Sequence, residues 1–370
     1  MRVCGREIGA GRPPLVIAEL GVNHDGSAER ALALVDAAAG AGADAVKVQW
    51  FEAERLMSRA SRLAGYQREA GERDPVEMLR RLELGADAMA AVVDRAHARG
   101  VAAIVTVFSA ALVPGAVSLA WDAYKTASPD IIHRPLLEAL CAAGKPLIVS
   151  TGAAELQEVL RASLWLEDAR REGRLAFLQC VSSYPAADED AALGGMAALS
   201  GALDLPIGYS DHTAGIDTGE LAVSLGAVIL EKHVTHSRAA AGPDHAASLE
   251  PAGFAEYARR ARAAAGLGST ARAALAERAR RDRRFGTDQK VVLPCERDVR
   301  HVSRQSIVAA RALRSGESLR AEDLTVKRPG TGLPPFRMRS VIGRTLARDV
   351  ERDMPLQEAD VATQASGAAA

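Results

Sequence analysis

Short apolar segments rich in β-branched residues recur along the first two thirds of the chain, separated by longer Ala-rich segments with helical spacing. An amphipathic stretch, SAERALALVDAAAGAGA, follows the first of them. Strand–helix alternation repeated eight times over roughly 250 residues predicts a (β/α)8 TIM barrel, an α/β fold. The eight segments are LVIAEL (15–20), AVKVQW (45–50), AAIVTVF (102–108), AYKTA (123–127), PLIVS (146–150), LAFLQCV (175–181), LPIGYS (205–210) and VILEKHV (228–234).

Two segments differ from this regular alternation. The segment between the third and fourth strands is short, so we expect a shortened helix there. After the eighth strand, residues 259–285 are dense in arginine, but no aromatic residues interleave as they do in nucleic-acid patches. We interpret this stretch as a solvated final helix leading into a linker.

The remainder of the chain has short segments punctuated by Gly and Pro, and a faint internal repeat. ARALRSGESLRAEDL (310–324) matches ARDVERDMPLQEADV (347–361) at a constant offset of 37 residues. Two related units predict a compact β-rich domain with internal pseudo-symmetry. The predicted parts are a barrel domain (1–285), a linker (about 286–300), the small domain (301–362) and a disordered tail (363–370).

Composition narrows the class of protein. The chain is 48% apolar and 25% charged with a formal net charge of −1, so no global field attracts nucleic acid or anionic lipid. Residues 101–121 carry no charge, but Pro114-Gly115 interrupts them, which favours strand, loop and helix start over a membrane span. Four scattered cysteines and an N-terminus without an apolar signal core predict a cytoplasmic protein.

Polar residues lie at the predicted ends of seven of the eight strands. In a (β/α)8 barrel, chemistry collects at the C-terminal ends of the strands. One polar residue at a strand end is ordinary, but seven such ends indicate an active site. The residues are Glu19, Lys47, Gln49, Lys125, Ser128, Ser150, Ser182, Tyr184, Ser210, Asp211, His212, Glu231 and His233.

Side-chain alternation indicates which of these residues face the barrel interior. Residues i and i+2 share a face, so Ser210 with His212, and Glu231 with His233, can both point into the mouth. Lys232 then faces the helices and is predicted to be structural.

The residue types limit the chemistry. Lysines among serines form a cradle for anions such as a phosphate and a carboxylate. Two imidazoles, His212 and His233, with Asp211, Glu231 and Asp244 nearby, suit a divalent metal with open positions for water and substrate. General acid–base catalysis by the histidines without a metal is the alternative.

At these residues the sequence resembles the sialic acid (N-acetylneuraminate) synthase family, over residues 14 to 362. The small domain resembles that family's antifreeze-like (SAF) domain through SIVAARALRSGESL and VKRPGTG. The barrel motifs that carry the resemblance are AELGVNHDGS (18–27), VKVQ (46–49), YQ (66–67), YKTAS (124–128), LIVSTG (147–152), LQCVSSYP (178–185), GYSDHT (208–213), GAVILEKHVT (226–235) and GPDHAASLEP (242–251).

The resemblance implies a transferase that condenses phosphoenolpyruvate with an open-chain N-acyl hexosamine, such as N-acetylmannosamine, to a nine-carbon 2-keto acid and phosphate. It implies that His212 and His233 bind Mn2+ or Mg2+, and that Glu19 handles a proton or orients the water. Phosphoenolpyruvate would be held by Lys47, Lys125, Ser128, Ser150, Ser182 and Ser210, and the sugar would face Gln49, Tyr184, Glu231 and Asp244.

For the small domain, the resemblance implies exchange across a homodimer, in which Arg328 of the KRPG motif reaches the partner's barrel and contacts the sugar's acyl group. Several positions depart from the family pattern: Pro129-Asp130 replaces Gly-Glu, and Trp50, Ala153, Gln179, Ser182 and Val234 replace the usual residues. We expect several of these to lie near the sugar, which leaves the acceptor open.

Three alternatives remain. A Schiff-base aldolase on the same barrel would use Lys47 or Lys125 as the nucleophile. A binding protein with an inactive barrel would have lost part of the polar set at the strand ends, and that set is intact. Condensation of phosphoenolpyruvate with a different, specialised sugar aldehyde is the third possibility.

Overall fold

Eight parallel strands close a barrel in sequence order in the computed structural model, which describes residues 1–362. All eight predicted strands are confirmed, and the largest difference is at strand seven, which begins at Ile207 rather than at residue 205. Strands one to eight are Leu15–Gly21, Ala45–Trp50, Ala102–Val107, Ala123–Thr126, Leu147–Ser150, Leu175–Cys180, Ile207–Asp211 and Ile229–His233.

Helices surround this barrel, and the expected short connection between strands three and four holds a 3-10 turn, Ala110–Leu112, and the five-residue α-helix Val113–Val117. The Arg-dense stretch continues Pro251–Ala265 and forms Ser269–Arg281, as predicted for a final helical region. The other barrel-domain helices are Ala28–Gly40, Ala53–Leu56, Gly65–Glu69, Pro75–Arg81, Ala86–Ala98, Arg134–Ala142, Leu156–Trp165, Glu167–Arg171, Gly195–Ala202 and Thr218–Ser224.

The alternation of side chains divides the barrel into two apolar regions. Outward residues such as Val46, Phe177 and Leu230 pack against the helices in one large core. Inward residues near the strand starts, such as Ile17 and Ile104, pack with Val3 and Ile8 of an N-terminal hairpin in a second cluster. The lower barrel is therefore filled with apolar side chains, and only its upper half is left for polar residues.

The connection after strand two covers part of the barrel mouth. Residues 51–85 carry three short helices, Ala53–Leu56, Gly65–Glu69 and Pro75–Arg81, before the helix Ala86–Ala98 returns to the barrel wall. Their apolar side chains join Phe51 and Phe108 in a separate cluster at the C-terminal ends of strands one to three.

The linker to the small domain is fixed to the barrel. The buried carboxylate of Glu296 accepts hydrogen bonds from the peptide nitrogens of Ala153 (2.6 Å) and Ser182 (2.8 Å), in the loops after strands five and six. In and after the helix Arg297–Ser303, Arg300 and Arg304 form ion pairs with Glu158.

The small domain contains the predicted repeat as a structural pseudo-symmetry. Leu313 and Val350, which are 37 residues apart, exchange reciprocal backbone hydrogen bonds of 2.9 and 3.0 Å. The ion pair Arg311–Asp323 has its equivalent in Arg348–Asp360 at the same offset. A two-stranded antiparallel sheet, Ser306–Ala309 with Leu324–Lys327, and the helix Met338–Val341 complete the domain.

Residues 363–370, predicted to be disordered, lie outside the described residues. Across 1–362, no helix combines the length and the apolar character needed to cross a bilayer.

Candidate active site

Two buried lysines form the floor of the cavity at the barrel mouth. The Nζ of Lys47 lies 2.7 Å from Glu19 Oε2 and donates to Thr106 Oγ1. The Nζ of Lys125 donates to Ser150 Oγ at 2.6 Å and lies 3.4 Å from Glu231 Oε1. A buried ammonium group requires such partners, because losing water without compensation is costly. The floor therefore carries two positive charges that are held in fixed places.

The two carboxylates beside these lysines differ in their electrostatics. Burial raises the pKa of Glu19, and the Lys47 ammonium only partly offsets this. Burial acts in the same direction on Glu231, but the ammonium groups of Lys125 and Lys47 outweigh it and hold the pKa of Glu231 below its usual range. Two neighbouring carboxyl groups with opposite shifts are a common basis for acid–base roles, and Glu19 is the one suited to exchange a proton.

Hydroxyl groups line the side of the cavity next to Lys125. Ser128 Oγ accepts a hydrogen bond from the peptide nitrogen of Gly152 at 3.0 Å. A Cβ at Gly152 would lie 2.4 Å from Ser182 Oγ and 2.8 Å from Ser128 Oγ, so only glycine leaves this space open. Together with Ser150, these groups surround a small volume beside a buried ammonium, which suits an anion.

His212 and His233 face each other across strands seven and eight. Their ring centroids lie 5.5 Å apart, with the planes at 64°. Because the carbonyl oxygen of Val181 can only accept, the His212 Nδ1 that lies 2.6 Å from it carries a proton, and His212 Nε2 keeps its lone pair. Nδ1 of His233 has no hydrogen-bond partner in the described structure and lies 3.8 Å from Asp244 Oδ2.

Burial keeps both imidazoles neutral. It lowers the pKa of His212 to about 4 and that of His233 well below the usual value. Neutral imidazole is the form that binds transition metals. Within residues 1–362 no cluster of three or more metal-ligating side chains occurs, so a cation here would take two protein ligands and complete its shell with water and substrate.

Tyrosines and one arginine form the rim. The ring of Tyr184 lies 4.3 Å from that of His212 and 5.3 Å from that of Tyr66, between centroids. The backbone carbonyl of Arg328 accepts from Ser58 Oγ at 2.6 Å, and its guanidinium carbon lies 5.8 Å from the centroid of Phe108.

Arg328 reaches this rim from the small domain of its own chain. Its peptide nitrogen donates to the carbonyl oxygen of Leu56 at 2.9 Å, and Arg328 pairs with Met57 in a parallel bridge. The exchange of this domain between two chains, which the resemblance implies, stays a prediction.

The structure brings fourteen of the fifteen predicted site residues together, and Asp211 is the exception. Strand alternation turns Asp211 outward, where its Oδ2 lies 3.0 Å from the Nζ of Lys232 with both side chains fully buried. The prediction that Asp211 belongs to the site is therefore wrong, whereas Lys232 lies on the helix side as predicted, 5.5 Å from the ring of Tyr257. The fourteen that line one cavity are Glu19, Lys47, Gln49, Lys125, Ser128, Ser150, Ser182, Tyr184, Ser210, His212, Glu231, His233, Asp244 and Arg328.

Most of the positions that depart from the family pattern do not reach the cavity. Trp50 and Val234 belong to the core between strands and helices, and Gln179 donates to the carbonyl oxygen of Ala192. Asp130 is fully buried and accepts from Gln305 of the small domain. Pro129 and Ser182 do line the cavity. The expectation that several of these residues lie near the sugar is thus wrong for Trp50, Val234 and Gln179.

Sequence reasoning missed Thr106 and the apolar residues above it. Strand three was the one strand for which no polar end was predicted. Thr106 lies near its end and accepts a hydrogen bond from Lys47. Alternation with Ile104 would have revealed its inward direction. Phe51, Leu79 and Phe108 also line the cavity, but their spacing resembles that of any core segment.

Comparison with known proteins places this site in a family. The NeuB family model matches residues 34–271, and the SAF domain model matches residues 304–362. The chain is 34% identical to the N,N'-diacetyllegionaminic acid synthase of Legionella pneumophila over 340 residues, covering 90% of this chain and 91% of that protein.

Two further similarities extend over nearly the whole chain. The N-acetylneuraminate-9-phosphate synthase of Homo sapiens is 30% identical over 357 residues, covering 96% of this chain and 94% of that protein. The crystal structure of the spore coat polysaccharide biosynthesis protein SpsE of Bacillus subtilis aligns with a TM-score of 0.82 at 28% identity, covering 98% of this chain and 99% of that one.

Proposed function

Because the chain belongs to the NeuB family and carries a SAF domain, we propose that it is a sugar-acid synthase that condenses phosphoenolpyruvate with an open-chain N-acyl hexosamine. The products are a nine-carbon 2-keto acid and phosphate, which makes it a transferase. The observation that carries this proposal is a single cavity with two buried ammonium groups on its floor and two neutral imidazoles above them.

Phosphoenolpyruvate fits the floor by charge and by shape. Its phosphate and carboxylate groups are two anions joined by a short carbon skeleton, and Lys47 and Lys125 are two cations held among hydroxyl groups. Ser128 and Ser182, on either side of Gly152, supply donors that need no charge. Ser150 and Ser210 complete the set, each hydrogen-bonded to one member of the Lys125–Glu231 pair.

The imidazoles of His212 and His233 fit Mn2+ or Mg2+. His212 Nε2 is free to bind because its Nδ1 is occupied by Val181, and the buried Nδ1 of His233 lacks a partner. A cation bound there supplies Lewis acidity to the sugar aldehyde.

The reaction balances with the groups at hand. A carbon–carbon bond forms between the methylene carbon of phosphoenolpyruvate and the aldehyde carbon, and the aldehyde oxygen gains a proton. Water adds to the resulting electrophilic carbon, and phosphate leaves by cleavage of the carbon–oxygen bond. Glu19 is placed to orient that water and take its proton, since it lies 2.7 Å from Lys47 and accepts from Gln49 at 2.9 Å. Gln49, Tyr184, Glu231, Asp244 and Arg328 face the acceptor.

A Schiff-base aldolase is the second candidate, and the imidazole pair of His212 and His233, which has no role in that reaction, disfavours it. A Schiff-base lysine must be a neutral amine when it attacks. Burial lowers the pKa of Lys125, and the charge of Glu231 offsets this only in part, so the lysine alone does not exclude the aldolase. Borohydride trapping with pyruvate separates the two: a stable adduct supports the aldolase.

The direct test of the synthase is phosphate release from phosphoenolpyruvate in the presence of Mn2+ and a panel of hexosamines. We expect release that requires an acceptor, is lost with EDTA and is absent in His233→Ala. Full activity after chelation would contradict the role of the metal. For the assembly we propose a homodimer with exchanged small domains, as the resemblance implies, and sedimentation at micromolar concentration tests it.

A further inference from the structure

A second cleft lies where the linker joins the barrel to the small domain. Its volume is about 490 Å³, and it shares no lining residue with the catalytic cavity. We name it the junction pocket. Its charged and aromatic lining residues are Glu158, Arg297, Arg300, His301, Arg304 and Phe336.

One helix supplies all the basic groups of the junction pocket. Their spacing of three or four residues places them on a single face of the helix Arg297–Ser303 and on the residue that follows it. Val299 and Ser303, on the opposite face, line the catalytic cavity. The same helix therefore separates the two cavities and presents its basic face to the junction pocket alone.

The pocket carries more positive charge than its one carboxylate balances. Both oxygens of Glu158 accept hydrogen bonds from Arg300, at 2.8 and 3.1 Å, and Oε2 also accepts from Arg304 at 3.2 Å. Arg297 and His301 are exposed, and neither forms an ion pair within the described part of the chain. Three guanidinium groups against one carboxylate leave two unbalanced positive charges, before any contribution from His301.

Arg304 is the buried member of this group. It is 5% exposed, and only its Nη2 is engaged, donating to the carbonyl oxygen of Ala153 at 2.9 Å and to Glu158. Its Nε and Nη1 have no hydrogen-bond partner in residues 1–362. Asp130, the other carboxylate near it, accepts from Gln305 and does not line the pocket. A buried cation with unused donors is costly, so an anion in the pocket would supply a compensation that the chain itself does not provide.

Charge and size indicate the kind of anion. Guanidinium groups bind phosphate through paired hydrogen bonds, and a phosphate dianion matches two unbalanced positive charges. The volume of the pocket lies in the range of sites that hold small metabolites, so it has room for a phosphate ester as well as for the free ion. Phe336, whose ring packs against Trp165 at 6.0 Å between centroids, adds an apolar surface for the organic part of such an ester.

We propose that the junction pocket is a second anion site, which binds a phosphate group either as the free ion or as part of a small phosphorylated metabolite. It is separate from the lysine floor of the catalytic cavity, and it does not depend on the synthase function.

Calorimetric titration of the full chain with inorganic phosphate, at constant ionic strength, tests the proposal. The floor of the catalytic cavity should also take phosphate, so we expect two sites per chain in the wild type and one in the double variant Arg297→Gln/His301→Gln. Arg272→Gln is the matched control, because Arg272 is also exposed on a helix and forms no ion pair within the described residues. It should keep both sites.

A repeat of the titration with glucose 6-phosphate separates the two sources of the phosphate group. Tighter binding of the ester at the site that the double variant lacks identifies a phosphorylated metabolite as the ligand. Tighter binding of inorganic phosphate at that site identifies the free ion.

Each further result has a defined meaning. The same number of sites and the same Kd values in a folded double variant as in the wild type would overturn the junction site and leave the synthase standing. One site in the wild type and none in the double variant would support the junction site and count against the phosphate-binding floor. If the double variant does not fold, Arg297→Gln alone replaces it, and the Kd of one site should then rise about tenfold or more.

Discussion

The ammonium nitrogen of Lys125 lies 3.4 Å from Glu231 Oε1, inside the barrel. Lys232 follows Glu231 on the same strand, and its ammonium pairs with Asp211 on the outside of the barrel. Both lysines are almost completely buried and both face a carboxylate. One faces the interior of the barrel and the other faces the helices, so variants of the two lysines can separate a binding role from a structural one.

Lys125→Met should impair phosphoenolpyruvate binding. Loss of one of two cations on the floor, together with an unpaired Glu231, costs about 3 kcal/mol or more, and we expect kcat/KM for phosphoenolpyruvate to fall at least about 100-fold. Steady-state kinetics with saturating sugar measures this.

Lys232→Met is the control for that variant. It leaves Asp211 buried and unpaired, so the free energy of unfolding should fall by about 3 kcal/mol, while KM for phosphoenolpyruvate stays close to the wild-type value. A large KM effect in Lys232→Met with a small one in Lys125→Met would reverse our assignment of the two lysines.

Gly152→Ala should block the anion cradle. The new methyl group would lie within 2.4 to 2.8 Å of the hydroxyl oxygens of Ser182 and Ser128 and would displace them. We expect KM for phosphoenolpyruvate to rise about tenfold or more with little change in KM for the sugar. Gly201→Ala, in a helix position with no atom within 4 Å of the new Cβ, should behave as the wild type. A Gly152→Ala enzyme with wild-type kinetics would place the phosphate elsewhere.

Arg328→Ala should weaken binding of the sugar far more than binding of phosphoenolpyruvate, because the arginine lies at the rim beside Phe108 and away from the lysine floor. Equal effects on both KM values would count against a role at the sugar. Arg328→Lys retains the charge but loses the planar group over the ring, so an intermediate loss is expected.

A mixture of two inactive variants tests which chain supplies this arginine. If Arg328 acts on its own barrel, Arg328→Ala and His233→Ala chains refolded together should recover no activity, since neither chain has a complete site. Recovery in the mixture, relative to each variant refolded alone, would demonstrate exchange of the small domain.

Asp130→Asn should stabilise the protein at neutral pH. Burial raises the pKa of Asp130 to about 6, although the positive charge of Arg328 acts to lower it. The folded state therefore holds a proton that the unfolded state releases near pH 4. The stability that this proton provides is present below pH 4 and is lost as pH rises through 6. Thermal unfolding should therefore show a gain for Asp130→Asn on the order of 1 kcal/mol at pH 7.5 and none at pH 4. A gain that is equal at both pH values would refute the assignment.

Strand periodicity was enough to predict the barrel, because each of the eight apolar segments has one face toward the helices. The same alternation, applied to Lys47, Ser210 and Glu231, predicted most of the floor. It also contained the correction for Asp211, which sits between two inward residues, Ser210 and His212.

The apolar residues that line the cavity could not be predicted in this way. Leu56, Leu79 and Leu82 come from the excursion between residues 51 and 85, whose path depends on how three short helices pack over the mouth. A leucine that lines a cavity has the same helical spacing as a leucine in a core, so only the tertiary packing distinguishes them.

Glu296 precedes the small domain in sequence. Its carboxylate nevertheless accepts hydrogen bonds from the peptide nitrogens of Ala153 and Ser182, in two loops that flank the floor. A chimera that combines this barrel with the small domain of a relative, made to transfer acceptor preference, should therefore be joined beyond residue 304. A junction at the more obvious sequence boundary near 286 would remove this carboxylate along with the chain's own small domain, and the chimera would then lose the anchor of these two loops for reasons unrelated to the sugar.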